Sequence, residues 1–180
     1  MPELFFGGAT LTGTGITKSL RTIGDLAGIF ADETAWAALS PDKLVYEVYS
    51  HLSVPEGTEG GLFFGLTRLF PGKAGNEYFM TKGHFHRKID RMEYYWGLEG
   101  DGILILMDEN RSVRAEKMFP GSLHLIGGGI AHRVANTGNV PLSFAACWAS
   151  DAGHNYQEIA DNGFAARLME INGTPQLCTI

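Results

Sequence analysis

Apolar, aromatic and β-branched residues gather along this chain in short runs of strand length, separated by residues that favour turns. Leu44–Leu52 (LVYEVYSHL) and Leu62–Phe70 (LFFGLTRLF) are two such runs, and 55–61 and Pro71-Gly72 bound the second of them. The same reading predicts strands at Arg91–Leu98, Gly102–Met107, Ser112–Met118, Ser122–Ile126, His132–Asn136 and Leu142–Ala149, with a last one near Phe164–Ile171. Turn chemistry punctuates them at Glu99-Gly100-Asp101-Gly102, Asp108-Glu109-Asn110, Pro120-Gly121 and Asn136-Thr137-Gly138-Asn139. Strands recurring at roughly 8–12-residue spacing argue for a sandwich or barrel. Helical signals are confined to Asp32–Leu39, with its acidic first turn and Pro41 beyond its end, and to Tyr156–Asp161. Residues 9–21, rich in Thr and Gly, read as an extended or irregular arm. The expectation is one all-β domain, with an arm and short helix over 1–43 packed on a barrel over 44–180.

Composition narrows the picture. At 180 residues and 44% apolar, the chain is long enough to bury a sizeable core, and its 24 glycines fit many tight turns between short strands. A formal net charge of −6 argues against a phosphate-tracking nucleic-acid surface. The first residues (MPELFFGG) lack the basic start and apolar stretch of a secretory leader. No apolar run approaches the roughly 18 residues of a membrane span. Cys147 and Cys178 form no metal-like CxxC pattern, and free buried thiols in a reducing compartment are expected. These observations point to a cytoplasmic protein, with no nucleic acid and no membrane among its partners.

The chemistry concentrates in Thr81-Lys82-Gly83-His84-Phe85-His86, followed by Glu93 and, much later, His132. Residues two apart in a strand face the same side, so His84 and His86 project together. Glu93 lies on a neighbouring predicted strand, and His132 opens another after the Gly127-Gly128-Gly129 loop. Three imidazoles and one carboxylate suit Fe²⁺, Mn²⁺, Ni²⁺ or Zn²⁺. Four protein ligands on an octahedral ion leave two positions open, as a catalytic site requires and a closed structural zinc site does not. His51 and His124 carry no such pattern and read as structural. Alternation along a strand would turn Lys82 away from the face that His84 and His86 share.

These residues resemble the two motifs of the cupin family. The first is matched by His84, His86, Glu93 and Gly100, and the second by Gly121, Gly129, His132 and Asn136, with Gly127 where cupins usually have proline. The interval of six residues between His86 and Glu93 is longer than in most cupins. Within that superfamily, TKGHFH, Asp90-Arg91, Glu93 and Tyr95 closely resemble the archaeal-type, cupin phosphoglucose isomerases. So do Ala131-His132-Arg133-Val134-Ala135-Asn136 and Asp151-Ala152-Gly153-His154-Asn155-Tyr156.

The resemblance implies a cupin double-stranded β-helix, a jelly-roll barrel with the metal in its mouth. It also implies a glucose-6-phosphate isomerase, interconverting glucose 6-phosphate and fructose 6-phosphate as a homodimer with one divalent metal per chain, foremost Fe²⁺. The metal ligands would be His84, His86, Glu93 and His132. Glu93 and His154 would be catalytic, Glu93 as ligand or as base and His154 in ring opening or hydroxyl binding. Thr81 and the Gly83 N–H would hold phosphate, with Tyr46, Thr67, Tyr95, Tyr156 and His154 around the sugar phosphate. Trp148 stands where the family has a tyrosine; its indole N–H donates but cannot accept. Two alternatives stay open: a cupin Fe(II) dioxygenase, which the same ligand set suits, and a non-catalytic sugar-phosphate-binding cupin, which would keep the donors but could dispense with the metal.

Overall fold

Short strands form wherever side chains can bury on one side of the pleat, and the computed structural model, which describes residues 3–180, contains seventeen of them. In chain order these are β1 (Leu4–Gly7), β2 (Thr10–Gly13), β3 (Ile16–Thr22), β4 (Leu44–Leu52), β5 (Leu62–Leu69) and β6 (Lys73–Ala74). Next come β7 (Glu77–Tyr78), β8 (Phe85–His86), β9 (Glu93–Glu99), β10 (Gly102–Met107), β11 (Val113–Met118) and β12 (Leu123–Ile126). The last are β13 (Ala131–Asn136), β14 (Leu142–Ala149), β15 (His154–Asn155), β16 (Ala166–Ile171) and β17 (Thr174–Thr179). Helix α1 (Glu33–Ala37) is capped by the Asp32 carboxylate, which accepts from Ala35 N–H at 2.8 Å, and α2 spans Gln157–Asn162.

A six-stranded antiparallel sheet in the order β12-β9-β14-β5-β4-β3 forms one layer. Opposite it lies β11-β10-β13, extended by the chain from Met80 to His84 through bridges at Met80–Ala135 and His84–His132. A single apolar cluster joins the inward residues of both layers, among them Tyr46, Leu69, Tyr95 and Phe144 from the first and Leu104, Leu106 and Val134 from the second. Strand β9 shows how this is encoded. Glu93 and Tyr95 point inward and are buried, whereas Tyr94 and Trp96 point outward and are exposed. This is the all-β jelly-roll barrel that the cupin resemblance implies. No helix among the described residues is long and apolar enough to cross a membrane.

Residues 9–21, read as extended or irregular, are extended: β2 forms a hairpin with β1, and β3 pairs with β4 as the edge strand of the large sheet. Two details depart from the sequence reading. Strand β17 goes beyond the last predicted strand. It pairs with β16 through Asn172-Gly173, both at positive φ (52° and 75°), the conformation an Asn-Gly hairpin turn requires. Cys147 and Cys178 are free, but half-buried rather than buried.

Candidate metal centre and its cavity

Four side chains, three on strands and His84 on an isolated β-bridge, converge between the two layers. His84 and His86 flank Phe85, which turns to the opposite side; Glu93 begins β9; and His132 sits on β13, bridged to His84 by paired backbone hydrogen bonds. Their ligand atoms all lie within 4.8 Å of one another, and all four residues are buried. Glu93 Oε2 is 3.2 Å from His86 Nε2 and 3.0 Å from His132 Nε2.

The two outer nitrogens are tied back to the protein. His86 Nδ1–H donates to Arg91 O at 2.8 Å, and His132 Nδ1–H donates to Ile130 O at 3.2 Å. These contacts leave both Nε2 lone pairs aimed inward, the tautomer that metal ligation needs. His84 Nε2 and His132 Nε2 are buried and make no hydrogen bond, a costly arrangement for polar atoms unless an ion accepts their lone pairs. The donor set and its orphaned nitrogens therefore fit a divalent cation. Burial and the neighbouring imidazoles of His132, His154 and His86 push His84 well below its ordinary value, so it presents a neutral ring. Burial alone would raise Glu93, but the imidazoles of His132 and His86 hold it below its ordinary value as a carboxylate.

A salt-bridged staple fixes the strand pair behind these ligands. Asp151 accepts from Arg91 Nε at 3.0 Å and Nη2 at 2.7 Å, and from Lys88 Nζ at 2.8 Å. Lys88 N–H also reaches Ala152 O at 2.9 Å. The loop that carries His86's carbonyl partner is thus bound to the turn that delivers His154, which pairs with His86 across β8 and β15. Arg91, then Lys88, hold the Asp151 carboxyl far below the usual carboxylate range.

A cavity of about 230 Å³ opens above the four ligands. Its wall contains His84, Glu93 and His132, and with them every residue predicted for substrate: Tyr46, Thr67, Thr81, Gly83, Tyr95, Trp148, His154 and Tyr156. His86 completes the ligand set from behind that wall. The His154 ring lies 4.4 Å from the His84 ring, centroid to centroid, and stacks on Tyr156 at 5.5 Å. Burial lowers His154 below its ordinary value. It also raises the Tyr46 phenol to about 12 and carries Tyr95 well above 10, so both stay protonated donors. Trp148 packs edge-on to Phe63, and Gly65 leaves room for its indole: a Cβ there would meet the ring at 3.1 Å.

Two cations in the wall were not among the predicted site residues. Arg21, on β3, lies opposite Tyr46 in the β3–β4 register and so enters from the segment read as an arm. Lys82 lines the cavity with its ammonium 5.6 Å from the Tyr156 ring centre, contrary to the expected outward orientation. Alternation fails there because Gly83 has φ +78°, which breaks the strand just before His84. His124 lies apart, held by Glu116 at 2.7 Å and Ser122 at 2.9 Å, and is structural as expected.

Comparison with known proteins gives the site its context. The glucose-6-phosphate isomerase family model matches residues 20–178. The chain is 45% identical over 158 residues to glucose-6-phosphate isomerase of Thermococcus litoralis, covering 87% of this chain and 82% of that one. To glucose-6-phosphate isomerase of Pyrococcus furiosus it is 43% identical over 161 residues, covering 88% and 84%. Among solved structures, Bacillus subtilis oxalate decarboxylase is similar at a TM-score of 0.47 and 18% identity, over 61% of this chain and 26% of that one. This chain belongs to the glucose-6-phosphate isomerase family.

Proposed function

We propose that this protein interconverts glucose 6-phosphate and fructose 6-phosphate, using one divalent metal held by His84, His86, Glu93 and His132. The observation that carries the reading is the polarity of the cavity. One end presents buried, orphaned imidazole nitrogens beside a carboxylate, and the other presents Arg21 and Lys82 among hydroxyls. A sugar phosphate has matching ends: a pair of adjacent oxygens at C1 and C2, and a dianion at C6. Fe²⁺ is the first choice of metal, with Mn²⁺, Ni²⁺ and Zn²⁺ compatible with the same nitrogen and oxygen donors. Bound there, a divalent ion supplies Lewis acidity to the two sugar oxygens.

The chain's own groups do the rest. Arg21, Lys82, Thr67, Thr81 and the Gly83 N–H hold the phosphate, and Tyr46 and Tyr156 border it. Glu93, ionised and buried, takes the proton from one of C1 and C2 and returns it to the other. His154, kept neutral by burial, both donates and accepts, which suits opening the sugar ring and passing the hydroxyl proton. Tyr95, protonated, donates to a sugar oxygen, and Trp148 closes the wall beside it.

A homodimer in the cytoplasm is part of the same proposal, with residues 1–43 read as an arm on a barrel over 44–180. Support for the dimer comes from the outer face of β9 and β12, where Tyr94 and Trp96 stand opposite Leu125 and Leu123, all exposed. The function is tested by stripping the protein with EDTA, adding back each metal and following fructose 6-phosphate isomerisation. Turnover restored by metal is expected. No turnover with any metal, at one bound metal per chain, would refute the proposal.

A further inference from the structure

Arg133 is an unusual arginine. It is 4% exposed, on β13 directly after the ligand His132, and makes no ion pair among the described residues. The one carboxylate that acts on it, Glu77, is already paired with Arg167 at 3.0 Å. Its Nε has no partner, its Nη1 faces Met80 Sδ at 3.1 Å, and its guanidinium lies 4.1 Å from the Phe164 ring centre. A buried, unpaired guanidinium is expensive, and stability alone does not explain it.

Its one strong contact is with the loop at the cationic end of the cavity. Arg133 Nη2 donates to Lys82 O at 2.8 Å. In a trans peptide the C=O and the following N–H point in opposite directions, and no described peptide is cis. Pulling the Lys82 carbonyl back into the barrel wall therefore turns the Gly83 N–H out of it, toward the cavity that Gly83 lines. No hydrogen bond to the Gly83 N–H exists among the described residues. Thr81 pins the loop on its other side, its N–H donating to Val134 O at 2.8 Å and its Oγ1 accepting from Val134 N–H at 3.1 Å. The fit also dictates glycine: a Cβ at residue 83 would meet the Phe164 ring at 2.8 Å and Arg133 Nε at 3.0 Å.

We propose that Arg133 is a positioning residue for phosphate binding, acting through the Lys82–Gly83 peptide. Its charge-assisted hydrogen bond orients and polarises that peptide so that the Gly83 N–H meets a phosphate oxygen, and its buried charge adds to Arg21 and Lys82. This rests on the proposed phosphate end of the cavity.

Lys82–Gly83 is the single Lys-Gly pair in the sequence, so ¹³C-carbonyl lysine with ¹⁵N-glycine labelling isolates one amide signal. In the Zn²⁺-loaded protein, inorganic phosphate should shift that signal saturably. In Arg133→Met the phosphate dissociation constant should rise about tenfold or more. Zinc per chain should be unchanged, with KM for fructose 6-phosphate rising similarly and kcat changing less than about threefold. If Arg133→Met does not fold, Arg133→Lys, which keeps a charge but loses the planar fork, should weaken phosphate binding severalfold. A Gly83 signal that ignores phosphate in the unmutated protein would overturn the phosphate end of the cavity and this inference with it. A signal that responds with equal affinity in the Arg133 variants would overturn the inference alone, and a lowered melting temperature as the sole effect would count the same way.

Discussion

The two ends of the cavity are built on different plans. At the proposed metal end, the four residues stand on strands or strand bridges that face one another directly, the outer nitrogens of His86 and His132 are tied to backbone carbonyls, and exposure is at most 8%. At the proposed phosphate end, the groups come from separate elements: Arg21 on β3, Tyr46 on β4, Thr67 on β5 and the loop 81–83. Arg21, Thr81 and Lys82 are half-buried while Tyr46, Thr67 and Gly83 are buried, and Arg133 acts from behind. One end is a preformed site with little freedom. The other is assembled by tertiary packing, so its members should contribute in smaller, more separable amounts.

Substitutions at the metal end should therefore have the largest effects. His132→Ala should lose its metal and fall to background turnover, as read by metal content and by isomerisation of fructose 6-phosphate. Glu93→Gln, which keeps an oxygen donor but cannot act as base, should lower kcat by about 10²–10⁴-fold. At the phosphate end, Arg21→Ala and Lys82→Ala should each raise KM by roughly fivefold with kcat little changed, and the effect should shrink as salt is added. Equal losses in kcat at both ends would break the comparison.

Asp151→Asn tests the staple behind the metal end. Removing it should free the 87–92 loop and weaken metal binding by about tenfold, measured by competition with a chelator. Its pH dependence has a definite sign. The folded carboxyl is depressed below its unfolded value of about 3.9, so its stabilisation is present above that pH and is lost as pH falls toward the folded value. The melting-temperature gap between the unmutated protein and Asp151→Asn should persist from pH 8 to 5 and narrow only in stronger acid. The smallest effect belongs to Trp148→Tyr, which restores the family's residue on a wall already shaped by Gly65; KM should move by less than about threefold.

The same contrast explains what the sequence could reveal. His84, His86, Glu93 and His132 were legible because a His-x-His in a strand shares one face, and the β9 and β13 positions follow from strands with clear turn boundaries. Trp148, Tyr156 and the other residues proposed for the sugar were named only through resemblance to a known family, and the fold brings them into one cavity wall. Arg21 was hidden because a Thr- and Gly-rich stretch gives no strand signal of its own, and β3 gains its stability from pairing with β4. Lys82 was misread because strand alternation was carried across Gly83, whose positive φ resets the direction of the chain. Strand β17 did have a local signal, the Asn172-Gly173 turn, which the reading passed over.

Mn²⁺ reports directly on the proposed orientation of the substrate. In the Mn²⁺-loaded protein, paramagnetic relaxation of bound fructose 6-phosphate can be measured at ¹³C-labelled C1 and C2 and at phosphorus. Much stronger relaxation is expected at the two carbons, with phosphorus held at the far, cationic end. Relaxation strongest at phosphorus would place the phosphate on the metal and contradict it.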